Sequence, residues 1–532
     1  MLGFHRRTRS LIPVKDLGKY DKVPLDEAES DAESNAGEME MEMDMGNASS
    51  RPDVKARQLQ LYLVYLVFLA EAIMASSLQP QLQMLISGDE FCGNISTSYL
   101  SSILDCAYAF GGTTGLFWGY LADRMGRRRV TLMGLWAMLV CCLSMGFATD
   151  LATCTIFRYF AGLASSTVVV TTLAMLGDLS ESSQERAENV ARLPMIALCG
   201  SMGPIAQSMV SESLRASGAL WEKFPILGSQ LVCSSIVLTI ATVASIMLKE
   251  TLPMDFNRHQ SAVDLDCEKA AFLTSSDYED PSVEVVDFVR PDRISINQFL
   301  SAPSFMVLLA SFSLLSLHAS TFDVLLPHLG HSDSQHGGMG ISCSWLGLTV
   351  LAVKAVAGIT LACVIPALIK KFGLLKLYRL ASLLFPAVYL ATPLLAIAAA
   401  SSSGFVAATS TFALLVKHLL TGGTTILVAL LVLNTTPDAF SAGTVVGLMQ
   451  VASLFRALAV AVSGASFYLS NDMKVSTTNF ALWTCLALFG AVGAALAYFV
   501  RERPSVERDF PSEVLCWETC FDADAEKIAF DD

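Results

Sequence analysis

Gly119-Tyr-Leu-Ala-Asp-Arg-Met-Gly-Arg-Arg-Arg129 carries five charges and two glycines in eleven residues, with apolar sequence on both sides. Upstream runs Ser101-Ser-Ile-Leu-Asp-Cys-Ala-Tyr-Ala-Phe110, and downstream Val130-Thr-Leu-Met-Gly-Leu-Trp-Ala-Met-Leu-Val140. The stretch therefore reads as a charged turn between two membrane-length segments. Gly119 and Gly126 permit close helix approach and a tight turn. Asp123 is suited to pairing with a base or capping a helix N-terminus. Arg124, Arg127, Arg128 and Arg129 hold the turn at the cytoplasmic surface, where positive charge is retained.

Outward from that turn, the 532-residue chain is 53% hydrophobic and only 16% charged. Its apolar residues fall in blocks about 20 long, the length that crosses a bilayer core of about 30 Å as helix. The spans expected are 60–85, 98–120, 130–148, 153–175, 192–211, 226–248, 303–327, 345–367, 376–398, 405–433, 443–468 and 480–500. This predicts an all-α membrane protein of about twelve helices in two six-helix bundles, at 58–248 and 299–500. A cytoplasmic N-terminal tail (1–57), a polar, acidic linker (249–298) and a C-terminal tail (501–532) complete the organisation. The net charge of −14 sits mostly in those polar segments, as solvated charge. No cleavable signal is expected before the first span, which inserts as its own signal. With both termini cytoplasmic, about 25 basic residues fall inside and about three outside (Arg215, Lys223 and Lys474). Asn94-Ile-Ser96 is then a glycosylation sequon in the first outside loop.

A charge at mid-bilayer is costly unless it faces a cavity or a partner, so each one here is a functional candidate. Glu71 and Asp105, on the first two spans, are either proton carriers or hydrogen-bonded helix contacts. Arg158, on the fourth span, could neutralise one of them. In the second half His318 and Asp323 share the seventh span, while Lys354 and Arg456 lie on the eighth and eleventh. Lys354 or Arg456 could meet an anionic substrate, or simply pair with Asp323 or with helix carbonyl ends. Lys417 and His418 adjoin Thr421-Gly-Gly-Thr-Thr425, small residues that permit close helix approach or a break at a binding site, packing being the preferred reading. His328, His331 and His336 share one loop without a fourth ligand, so no metal is expected. The thirteen cysteines, among them Cys516 and Cys520, show no metal spacing. No phosphate-binding loop, nucleophile arrangement, cofactor motif or nucleic-acid patch is present, so neither enzyme nor ATP-driven pump is expected.

The turn at 119–129 resembles the loop signature of the major facilitator superfamily. Weaker matches follow in order: Arg158 with Gly162, Gly200-Ser-Met-Gly-Pro204, Glu250-Thr-Leu-Pro253, His318 through Asp323 to Pro327, and Gly443 through Gln450 to Arg456. Together they resemble fungal twelve-span drug:proton antiporters. Departures are Arg129 and Gln207, where that group has proline and glycine, Ala459-Val460 in place of a second Gly-Pro, and a second-half loop reduced to Lys370-Lys-Phe-Gly373. The resemblance implies proton-coupled export of a small organic molecule by alternating access, from a monomer in the plasma or vacuolar membrane. Asp123, Arg127 and Arg128 would form the inner gate, and Gly200, Gly203 and Pro204 a helix bend. Alternatives are a uniporter or importer of a sugar, peptide or metal ion, and a transporter-like receptor that carries no flux.

Overall fold

The computed structural model describes residues 54–78, 97–201, 203, 221, 223–224, 226–252, 300–331, 343–399, 403–436, 441–473 and 480–500. Most of the N-terminal tail, the C-terminal tail, most of the central linker, Asn94, Pro204, Arg215, Lys474, His336, Cys516 and Cys520 lie outside the described residues. Within them all regular structure is helical: α1 (Val54–Ser76), α2 (Thr97–Gly112), α3 (Gly115–Met125), α4 (Arg127–Gly146), α5 (Leu151–Leu179) and α6 (Ser183–Ala191). There follow α7 (193–201), α8 (Leu227–Met247), α9 (Pro303–His331), α10 (Cys343–Phe372), α11 (Leu374–Ala399), α12 (Ser403–Asn434), α13 (Ala442–Met449), α14 (Ala452–Met473) and α15 (Phe480–Phe499). From Leu59 onward the described chain forms one compact unit.

Among the described residues, ten helical segments are long and apolar enough to cross a membrane. Two expected spans do not qualify. The one at 192–211 leaves the described residues after 203. The one at 98–120 instead runs to Met125 and is interrupted after Gly112, as the expected 443–468 span is interrupted after Met449. The first interruption has a local cause. Thr113 and Thr114 donate their hydroxyls to the carbonyls of Phe110 and Gly111, at 2.7 and 2.8 Å, so side chains compete for acceptors of the last turn.

Glycine decides where helices touch. A Cβ on Gly162 would lie 2.0 Å from the Tyr108 carbonyl oxygen, and one on Gly111 2.2 Å from that of Tyr159. The crossing of α5 over α2 therefore brings backbones into contact, which aims Arg158 and Ser165 of α5 at α1 and α2. At the start of α5, Asp150 accepts from the hydroxyl and amide of Thr153 at 2.5 and 2.9 Å. Those bonds hold its carboxyl below the usual carboxylate range.

Candidate functional site

Three clusters contain almost every charge that the sequence places in or against the apolar helices. The first is the turn at 119–129. Gly126 adopts φ +101° and reverses the chain between α3 and α4. Asp123 leaves its own helix and caps α13, accepting from the amides of Gly443 and Thr444 at 2.9 and 2.6 Å and from the Thr444 hydroxyl at 2.7 Å. That reach is possible because a Cβ on Gly119 would sit 2.1 Å from the Gly443 carbonyl oxygen. Arg127 is fully buried, ion-paired to Asp178 and 3.6 Å from Asp123. Glu250 caps α4 through the amides of Arg127 and Arg128, at 2.7 and 3.1 Å, while the Arg128 guanidinium donates to the Ser245 carbonyl at 2.7 Å. Arg124 is exposed, over the Tyr120 ring. Nearby, Arg186 of α6 donates to Asn434 at the end of α12, at 2.8 Å. The end of the bundle that carries this turn is thus closed by contacts between its first and second halves.

The second cluster joins α1, α2 and α5. Glu71 is buried and accepts from the hydroxyls of Ser165 and Tyr108, at 2.6 and 3.1 Å. Arg158 lies over the Tyr108 ring, 4.2 Å from its centroid, donates to the Ala75 carbonyl at 2.9 Å and stands 3.8 Å from Asp105. The expected neutralisation by Arg158 therefore falls on Asp105, leaving Glu71 to hydroxyl donors. Arg456 of α14 is within electrostatic reach of Glu71. Gly200 faces this region, where a Cβ would meet that of Ala72 at 2.4 Å. Gly200 thus packs closely against α1, while the expected bend at Gly200, Gly203 and Pro204 runs past the described residues. Gly203 rests against Ile73.

The third cluster joins α9, α11 and α12. Asp323 of α9 pairs with Lys417 of α12, not with Lys354 or Arg456. His318 is buried, its Nδ1 is 2.6 Å from the Tyr389 hydroxyl, and its ring packs on Phe385. Lys417 is fully buried, over the Phe322 ring, so its stretch does more than pack helices. Its role was not legible because neighbouring Gly422 and Gly423 gave the local sequence a packing character. Among the described residues no group of three metal-ligating side chains occurs.

With this geometry in place, comparison with known proteins gives consistent results. The Major Facilitator Superfamily profile matches residues 61–463. The multidrug transporter mfsB of Aspergillus fumigatus is 22% identical, over 83% of this chain and 83% of its own. The major facilitator-type transporter psiT2 of Psilocybe cubensis is 21% identical, over 74% of this chain and 80% of its own. The solved human organic anion transporter MFSD10 superimposes with a TM-score of 0.57 and 16% identity, covering 83% of this chain and 99% of its own. The proton:xylose symporter XylE gives 0.57 and 13%, covering 84% and 97%. At such identities the structural likeness speaks for the fold.

Proposed function

The chain belongs to the Major Facilitator Superfamily and is an integral multi-pass membrane transporter rather than an enzyme, and from that premise we propose that it exports a small organic molecule in exchange for protons. The carrying observation is Glu71. A buried carboxyl held by two hydroxyls, with no described cation at ion-pair distance, can gain or lose a proton without breaking an ion pair. Asp105, paired with Arg158, is the secondary candidate. Alternating access has a physical basis in the closed 119–129 gate: Asp123 and Arg186 join a first half (58–248) to a second (299–500), and releasing them would open that end. The arginine-rich turn supports placing the gate and both termini in the cytoplasm. A fungal relative named a multidrug transporter and another named an efflux pump support export.

The test is proton flux in proteoliposomes on addition of organic compounds, comparing the unaltered protein with Glu71→Gln and Asp105→Asn. Flux abolished by Glu71→Gln, with binding retained, is the expected result. Equal solute movement without proton movement in all three would replace the antiporter by a facilitator.

A further inference from the structure

We propose that the groups around Lys417 form a binding site for an organic carboxylate, and that Asp323 is the internal carboxylate which the ligand replaces. The inference deepens the transport reading and rests on it. Lys417 exposes none of its side chain, so its ammonium depends on a counter-ion, and Asp323 is that ion. Half of the Asp323 side-chain surface is open, so the pair can be approached from the carboxylate side.

Around this pair the polar groups are unbalanced. Lys354 enters from α10, exposed, within electrostatic reach of Asp323, Lys417 and His418, and without an ion-pair partner among the described residues. The Nε2 of His418 and the hydroxyl of Thr421, one turn from Lys417 along α12, are buried and have no hydrogen-bond partner there. Buried polar atoms without partners call for an explanation, and a ligand is one. Two ammonium groups, an imidazole and a hydroxyl can donate here, whereas Asp323, the carboxylate within their electrostatic surroundings, is committed to Lys417. A cationic ligand would meet two lysines. A ligand carboxylate would take over Lys417, reach Lys354 and offer acceptors to Thr421 and His418. It reproduces the group already seated there, which is why a carboxylate fits better than an anion of another shape.

The purified full-length chain in detergent can be titrated with fluorescein, a xanthene bearing a carboxylate, and rhodamine 6G, the esterified cationic xanthene, both followed by anisotropy. Benzoate, phosphate and chloride serve as competitors. The proposal expects fluorescein to bind at least tenfold more tightly than rhodamine 6G and to be displaced by benzoate. Lys354→Gln should weaken fluorescein about tenfold, and Asp323→Asn should tighten it severalfold by removing the competitor. Because Asp323→Asn leaves Lys417 without its counter-ion and can unfold the protein, Lys354→Gln at the exposed position carries the test alone if needed. Equal binding of both dyes, no binding of fluorescein or benzoate, or unchanged affinity in Lys354→Gln would overturn the proposal. Displacement by phosphate or chloride as strongly as by benzoate would also overturn it, in favour of an inorganic anion. The two readings fail separately. Fluorescein bound but never exchanged across proteoliposomes defeats transport and leaves the site, whereas rhodamine exchange without carboxylate binding defeats the site and leaves transport.

Discussion

Asp123 shows how one side chain joins distant parts of the chain. It lies on α3, but its three hydrogen bonds end on Gly443 and Thr444, more than 300 residues away. Hydrogen bonds to a charged group contribute about 1.5–3 kcal/mol each, and losing one partner leaves the others desolvated. Asp123→Ala is therefore expected to weaken the closed gate by roughly 3 kcal/mol, about a hundredfold in its population. The check is alkylation of a cysteine introduced at Ala442, which is buried in the closed gate; its rate should rise in the Asp123→Ala background. An unchanged rate would mean that the gate is held elsewhere. The residue type hinted at this role, since an aspartate in a basic turn is a natural cap, but the helix it caps was not legible. Glu71 and Asp105 illustrate the same limit: both were recognisable as misplaced charges, yet the split between hydroxyl donors and a guanidinium depends on how α1, α2 and α5 cross.

At the scale of elements, close approach is set by missing side chains. α3 lies against α13 because Gly119 meets Gly443 and Gly447 meets Gly115, each with a Cβ clearance below 3 Å to backbone. A backbone carbonyl cannot retreat as a flexible side-chain tip can. Gly119→Leu should thus cost about 1–3 kcal/mol in packing strain and cut transport at least tenfold. Gly347→Ala, where added atoms meet nothing within 4 Å, should leave both melting temperature and flux unchanged. Flux and thermal unfolding of the two variants decide the matter: equal damage would point to a general intolerance of helix glycines. The paired interruptions after Gly112 and Met449 were not legible as such. Both sequences read as continuous apolar spans, and hydropathy does not register which hydroxyl takes which carbonyl.

Over the whole molecule, the proposed alternating access predicts that the end carrying the 119–129 turn opens as one event. Spin labels at the exposed positions Arg129 and Lys371, beside the turns at Gly126 and Gly373, should report a second, longer distance population when protonation is varied. A single unchanged distance across pH would argue against rocking of the halves.

The sequence by itself determined the charged turn and ten of the expected membrane helices, because both are local: apolar length and the φ > 0 tolerance of glycine act within a few residues. It also marked which charges were out of place. Only the tertiary structure decided which partner each charge takes. Asp323 could have met any of several cations, and the crossing of α9 with α12 assigned it Lys417, since the low-dielectric interior leaves a buried ammonium no option but the carboxylate packed beside it.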